Sequence, residues 1–216
     1  TLHNGVVYFT ANGNNLRSTG HISAHNSDGS GGTIAINAGT NENRNSVAAI
    51  SGTLDASSKT TGSKGGNIHI LGDRVGLFAN TDVDASGDAG GGNILVGGDY
   101  QGKNPDILNA DMTYVDSTAI LNADAVTEGD GGKIIVWADG TTRYFGSITA
   151  TAGANSGNGG FAEVSGKEQL TFKGTANLTS AHGATGTLLL DPRNIRIVCG
   201  GGLPSLIGVA NNDGNG

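Results

Sequence analysis

Six times along the chain an apolar–x–small triplet leads into a glycine-rich turn and then an alternating apolar strand. The copies begin at Ile22, Leu54, Val83, Leu121, Ile148 and Leu178, at intervals of 32, 29, 38, 27 and 30 residues. They run into Gly31-Gly32, Gly65-Gly66, Gly91-Gly92, Gly131-Gly132 and Gly159-Gly160, and in the last copy into Thr185-Gly186. Behind the turns stand Ile34-Ala35-Ile36, Ile68-His69-Ile70, Ile94-Leu95-Val96, Ile134-Ile135-Val136, Ala162-Glu163-Val164 and Leu188-Leu189-Leu190. Self-similarity at a period of roughly 20–50 residues marks a solenoid or an array. Each unit must bury its apolar face on a neighbour, so the period constrains the fold more than any single residue does.

Strand side chains alternate between faces. In Leu54-Asp55-Ala56, Val83-Asp84-Ala85, Leu121-Asn122-Ala123 and Ile148-Thr149-Ala150 the outer two residues share a face and the middle one opposes them. Stacked copies give an inner aliphatic ladder, an inner Ala ladder ending at Ser180, and an outer ladder of Ser23, Asp55, Asp84, Asn122, Thr149 and Thr179. The small residues suit a corner where two walls of a narrow tube converge. The glycine pairs are expected to supply positive φ at that corner. A third apolar run follows in most units, at Val75–Phe78, Arg143–Phe145 and Leu170–Phe172, and Val6–Phe9 reads as the same wall of a preceding turn.

Three short strands per unit make one coil, and at about 4.8 Å per stacked strand six coils form a rod of roughly 30 Å. Four-stranded propeller blades need longer units of about 40–50 residues. No segment keeps a helical period over ten or more residues, which argues against a βαβ solenoid. The expected fold is all-β, a parallel β-helix of about six coils over residues 1–198. An insertion at about 97–118 interrupts it, and residues 199–216 form an irregular Gly/Asn-rich tail.

Glycine supplies 39 of 216 residues, but at fixed places in each repeat, and hydrophobic residues still make up 36%. That pattern points to an ordered β protein. The net charge of −7, with 12 Lys+Arg and no basic cluster, argues against nucleic acid as a partner. No stretch reaches the ~18 apolar residues of a membrane helix. The chain opens mid-pattern at Thr1 without an initiator methionine or signal peptide, so it reads as an internal piece of something longer. The single Cys199 excludes an internal disulfide and reads as a small apolar residue continuing Ile195–Val198.

The order of motifs from Gly20 to Val198 resembles a known family. The relevant runs are Ala85-Ser86-Gly87 through Gly91-Gly92-Asn93-Ile94-Leu95-Val96-Gly97-Gly98-Asp99-Tyr100, Gly129–Asp139, Gly157–Lys167, and Gly186-Thr187-Leu188-Leu189-Leu190-Asp191-Pro192-Arg193-Asn194-Ile195. Together they resemble large secreted bacterial exoproteins of the filamentous-haemagglutinin type. The resemblance implies a right-handed parallel β-helix in a secreted or surface adhesin, exported by two-partner secretion through a dedicated outer-membrane pore. Secretion domains of that family carry short Asn-Pro motifs. Here Asn104-Pro105 stands alone, so the expectation is a shaft that follows the secretion domain.

Parallel β-helices also cleave polysaccharides, and glycoside hydrolysis needs two carboxylates at a set separation. Asp55 and Asp84 occupy equivalent positions in adjacent coils. Polygalacturonase-like enzymes combine Asn-Thr-Asp, an Asp-Asp pair, Gly-His-Gly and Arg-Ile-Lys. This chain has Asn80-Thr81-Asp82 and His182-Gly183, lacks an Asp-Asp pair, and follows Arg196-Ile197 with Val198. No catalytic residue is assigned. The tandem Gly-Gly-x-Gly-x-Asp nonapeptides of calcium-binding solenoids are missing too. Asp73, Asp99 and Asp139 read as turn acceptors, and the five histidines as surface residues. Neither metal nor cofactor is expected.

Trp137, Tyr100, Tyr114 and Tyr144 are the candidate ligand-binding residues, because an outward aromatic face suits a sugar. The alternative for Trp137 is a place beneath the insertion. The function expected is a structural and adhesive segment facing a glycan or protein of a host or neighbouring cell. The rivals are a glycan-active enzyme and the carrier stalk of a contact-dependent toxin.

Overall fold

The computed structural model describes residues 5–40 and 45–193. Within them the strands assemble into three parallel walls. The first wall stacks Val6–Thr10, Thr33–Asn37, Asn67–Leu71, Asn93–Val96, Lys133–Ala138, Phe161–Gly166 and Thr187–Leu189. The second stacks Leu16–Ser18, Val47–Ile50, Arg74–Leu77, Met112–Val115, Thr141–Tyr144 and Gln169–Phe172. The third stacks His21–Ser23, Thr53–Asp55, Asp82–Asp84, Ile120–Asn122, Ser147–Thr149 and Thr175–Asn177. The chain visits the walls in rotation, giving a β-solenoid of about six coils, as the repeat predicts.

The core is a set of ladders running along the stack. Ile34, Ile68, Ile94 and Ile134 lie in register and are fully buried, followed by Ala162 and Leu188. A second column holds Ile36, Ile70, Val96, Val136 and Val164. The third wall adds Leu54, Val83, Leu121 and Ile148. Each such side chain contributes about 1.5–3 kcal/mol on burial. The outward Asp and Asn of the third wall close its corner as Asx-type turns. Asp55 accepts the Ser57 N–H at 2.9 Å, Asp84 that of Ser86 at 2.8 Å, and Asn122 that of Asp124 at 2.9 Å.

The corner between the third and first walls is the tightest part of the molecule. Gly32, Gly66, Gly92, Gly132, Gly160 and Gly186 donate their N–H groups to the carbonyls of Ala24, Ala56, Ala85, Ala123, Ala150 and Leu178, at 2.7–2.9 Å. A Cβ on Gly66 would overlap the carbonyl oxygen of Gly32 one coil below, and the same holds for Gly92 over Gly66 and Gly132 over Gly92. The first glycine of each pair is closed from the other side: a Cβ on Gly65 would overlap the Ala85 carbonyl. None of the paired glycines has positive φ. The expectation that they are needed for backbone handedness is therefore corrected: they are needed for want of space. The left-handed residues sit just upstream, at Gly29, Gly62, Gly90, Gly129 and Gly157.

Three other expectations shift. Val6–Thr10 pairs with Thr33–Asn37 and so belongs to the first wall, while Leu16–Ser18 provides the second wall of that coil. In the sixth coil Ala176, not Leu178, aligns with Ile148, and Leu178 takes the place of the small residue Ala150. The displacement by two residues preserves the face, so alternation alone cannot detect it. The inserted length is confined to residues 97–111, because Met112–Val115 pairs on both sides as an ordinary second-wall strand. The expectations for Cys199, for Arg196-Ile197 and for the 199–216 tail lie outside the described residues.

If crowding governs the corner, Gly66→Ala should lower stability by about 2–3 kcal/mol through overpacking. Gly20→Ala, where an added Cβ meets nothing within 4 Å, should change it by less than about 0.5 kcal/mol. Urea unfolding of the two variants checks the contrast.

Candidate functional site

The outer face of the first wall changes character along the stack. Asn67 and Asn93 line up and are joined side chain to side chain at 3.0 Å. Leu95, Ile135 and Trp137 form an apolar cluster outside the main core, with Phe161 packed against it. An exposed cluster of this kind would be costly in water, and residues 97–111 fold back over it as a strap.

The strap is fastened by polar contacts at several points. Asp99 accepts the Tyr100 N–H at 2.7 Å, the Asn104 amide at 2.9 Å and the Lys133 ammonium at 3.1 Å. These partners hold its carboxyl below the ordinary range against the opposing effect of burial. Tyr100–Gly102 forms a single 3-10 turn in which Gln101 is left-handed, with φ of 53°. Beneath it Trp137 is 5% exposed and donates its indole N–H to Asp139 at 3.1 Å. A Cβ on Gly102 would lie 2.6–2.7 Å from atoms of that indole.

The remaining fastening is a buried carboxylate. Glu163 is fully buried, and its Oε2 accepts the Gln101 N–H at 3.1 Å while Oε1 has no hydrogen-bond partner. Burial pushes its carboxyl above the ordinary value of 4.5. The Gln101 N–H, Ser165 and Lys133 pull it down, and Asp191 pushes it further up.

Beside the strap lies a shallow pocket of about 210 Å³ lined by Asn67, His69, Asn93, Leu95, Asp99 and Lys133, among others. His69 is half-buried rather than on the surface as expected, and burial lowers its pKa while Asp99 raises it. A longer open trough of about 760 Å³ runs along the glycine corner, flanked by Lys64, Asp130, Lys133, Asn158 and Phe161.

The four aromatic residues nominated from sequence are not brought together. Trp137 lies under the strap. Tyr100 sits on the strap with 43% exposure, edge-on to Phe161 at 5.8 Å. Tyr114 is on the second wall between Phe78 and Phe145, at 5.9 Å from each ring. Tyr144 corrects its expected outward placement: it is fully buried in the core and stacks on Phe172 at 5.5 Å. Its position aligns with Leu77 and Val115, inward residues of the same wall, so strand phase carried the information that residue type obscured.

The carboxylates considered for hydrolysis are in register on the third wall, Asp55 beside Asp84. Both spend an oxygen on their corner turns, and Asp55 also lies 3.7 Å from His25. Thr81 is buried and donates to the Phe78 and Ile50 carbonyls, whereas Asp82 and His182 are exposed at separate places. Of the three aspartates read as turn acceptors, Asp99 takes the adjacent Tyr100 N–H, Asp73 takes the N–H and hydroxyl of Ser46 one coil away, and Asp139 accepts instead from the Trp137 indole and the Asn109 amide. Among the described residues no group of three or more His, Cys, Asp or Glu is arranged to hold a metal ion. Glu163 is the residue that sequence reading passed over. The available signal was its outward phase, two coils beyond the point where extra chain is inserted.

No family model matches the chain, and no curated protein does. Among solved structures it is similar to the crystal structure of the HMW1 secretion domain from Haemophilus influenzae, with a TM-score of 0.65 and 28% identity. The match covers 87% of this chain and 48% of that one, so the chain spans about half the length of its solved neighbour. The expectation was a shaft following a secretion domain, whereas the likeness is to a secretion domain itself. The coil repeat does not distinguish the two segments.

Two outcomes follow from the strap. Because folding favours the protonated form of Glu163, its stability is greatest below the ordinary carboxyl value and declines as pH rises through the raised one. Glu163→Gln should therefore melt higher than the parent at neutral pH, with the gap closing toward about pH 4; melts across that range measure it. Gly102→Ala should lift the strap from Trp137, the single tryptophan, and shift its fluorescence to the red.

Proposed function

We propose that this chain is a non-catalytic β-solenoid segment of a secreted bacterial exoprotein. It passes through an outer-membrane pore by two-partner secretion and serves at the cell surface in adhesion to a host or neighbouring cell. The likeness to the HMW1 secretion domain over 87% of the chain is the observation that carries the reading.

The fold supplies a physical reason for the association with export. Every wall pairs only with the coil before and the coil after, and repeat structures of this type propagate from neighbour to neighbour. A chain emerging from a narrow pore can add one coil at a time onto those already formed, with no distant strand to wait for. Supporting the non-catalytic reading, Asp55 and Asp84 each spend an oxygen on a corner turn.

The test is to express the full-length exoprotein with its pore, with and without residues 20–190. The expected outcome is loss of the protein from the medium and cell surface, and loss of adherence, when the segment is removed. Unchanged secretion together with unchanged adherence would reject the proposal. Release of reducing ends from polysaccharides by the intact chain would reject its non-catalytic part.

A further inference from the structure

Strand pairing couples each coil only to the one before and the one after. In an array of that kind stability is a sum of units and their neighbouring interfaces, and the end coils open at the lowest cost. The strap departs from this rule. It leaves the fourth coil at Gly97 and returns at Ala110, whose N–H donates to the Gly97 carbonyl at 2.7 Å. Its two feet stand side by side, and residues 98–109 reach out along the stack in both directions.

Toward the start of the chain the reach is two coils. Ile107 lines one pocket with Asn67 and His69 of the third coil. A Cβ on Gly39 would overlap Leu108 Cδ2, so the Leu108 side chain is seated on bare, buried backbone of the second coil. Toward the other end the reach is again two coils. Asp99 holds Lys133, and Asn109 donates to Asp139 at 3.3 Å, both in the fifth coil. Gln101 donates to Glu163, and Tyr100 meets the Phe161 ring, both in the sixth. The contacts span four steps of the stack, about 19 Å.

A tie of this reach couples its ends only if it is stiff, and the strap is braced within itself. The Asn109 amide donates to the Gly102 carbonyl at 2.9 Å, joining the arm that reaches forward to the arm that reaches back. The Asn104 amide donates to Asp99 at 2.9 Å, and the Lys103 ammonium to the Gln101 side chain at 2.7 Å. Pro105 fixes φ at the turn between the arms. From these contacts we infer that residues 98–109 are an axial clasp, which ties the second through sixth coils into one block that opens as a unit. Leu108 is the hook at one end, and Gln101 on Glu163 is the hook at the other. Strands stack one coil at a time, but the clasp fastens only when the second and sixth coils are both in place. Its closure therefore follows stacking.

Hydrogen exchange of the whole chain, read by mass spectrometry, tests the clasp. Ile36→Val serves as a probe, because Ile36 is buried in the second coil alone. It should speed exchange in Thr33–Asn37 about two- to tenfold. In the otherwise unchanged chain the same factor should appear in Phe161–Gly166, four coils away. Leu108→Ala unhooks the second coil and should confine the effect to the second and third coils. That variant leaves Gly102 over Trp137, so unchanged tryptophan emission shows that the strap is otherwise closed. Deleting residues 98–109 joins Gly97 to Ala110 and leaves Ala110-Asp111 as a two-residue turn like Gly72-Asp73 of the third coil. It should confine the effect in the same way. If the uncovered Trp137 makes this second variant aggregate, Leu108→Ala decides alone.

Spread of the probe's effect to the sixth coil in Leu108→Ala would overturn the inference, since stacking by itself would then couple the coils. So would an effect that never leaves the second and third coils when the clasp is intact. None of these rates depends on secretion or adherence, so failure of the clasp leaves the proposed function standing. Failure of that function would show instead in the deletion of residues 20–190.

Discussion

The close stacking of bare backbone at one corner governs the rest of the structure. Where the third wall turns into the first, carbonyls and N–H groups of successive coils approach so closely that no Cβ fits between them. That contact fixes the vertical spacing of the coils at one edge of the prism, and the Ile and Val ladders of the first wall then fall into register above one another. The corner also explains the unusual composition. Glycine is abundant because the same crowded position recurs in every coil, while the upstream loops use a separate set of glycines for left-handed turns.

Much of this could be read from the sequence. The triplet, the glycine pair and the alternating strand gave the walls, the inward ladders and the number of coils, because each rests on a period-two pattern repeated six times. What escaped were shifts that leave that pattern intact. Ala176 and Leu178 exchange roles over two residues without changing face, and Val6–Thr10 is apolar enough for either of two walls. The strap was visible as surplus length, but its extent was not: Met112–Val115 has the sequence of a strand and becomes one only through its neighbours. At the candidate sites, Tyr144 was misplaced because its ring suggested a ligand, although its register matched buried Leu77 and Val115.

The walls also divide the chemistry of the surface. The first wall carries an apolar patch sealed by the strap, with a buried carboxylate at the point of closure. The second carries exposed arginines and a run of aromatic rings. The third is acidic, and Asp55, Asp84, Asn122 and Asn177 each use one side-chain oxygen to shape its corner. A solenoid permits this division because each outward column is set by one residue per coil, independently of the ladders within.

The strap shows how unevenly the prism accepts new chain. In three coils the turn from the first wall to the second takes only two residues, Gly72-Asp73, Asp139-Gly140 and Lys167-Glu168. In the fourth coil the same turn holds residues 97–111, and strand pairing resumes undisturbed on either side. That corner is a natural port for grafting: a foreign loop displayed there leaves the stack intact, whereas the glycine corner has no room for even a methyl group.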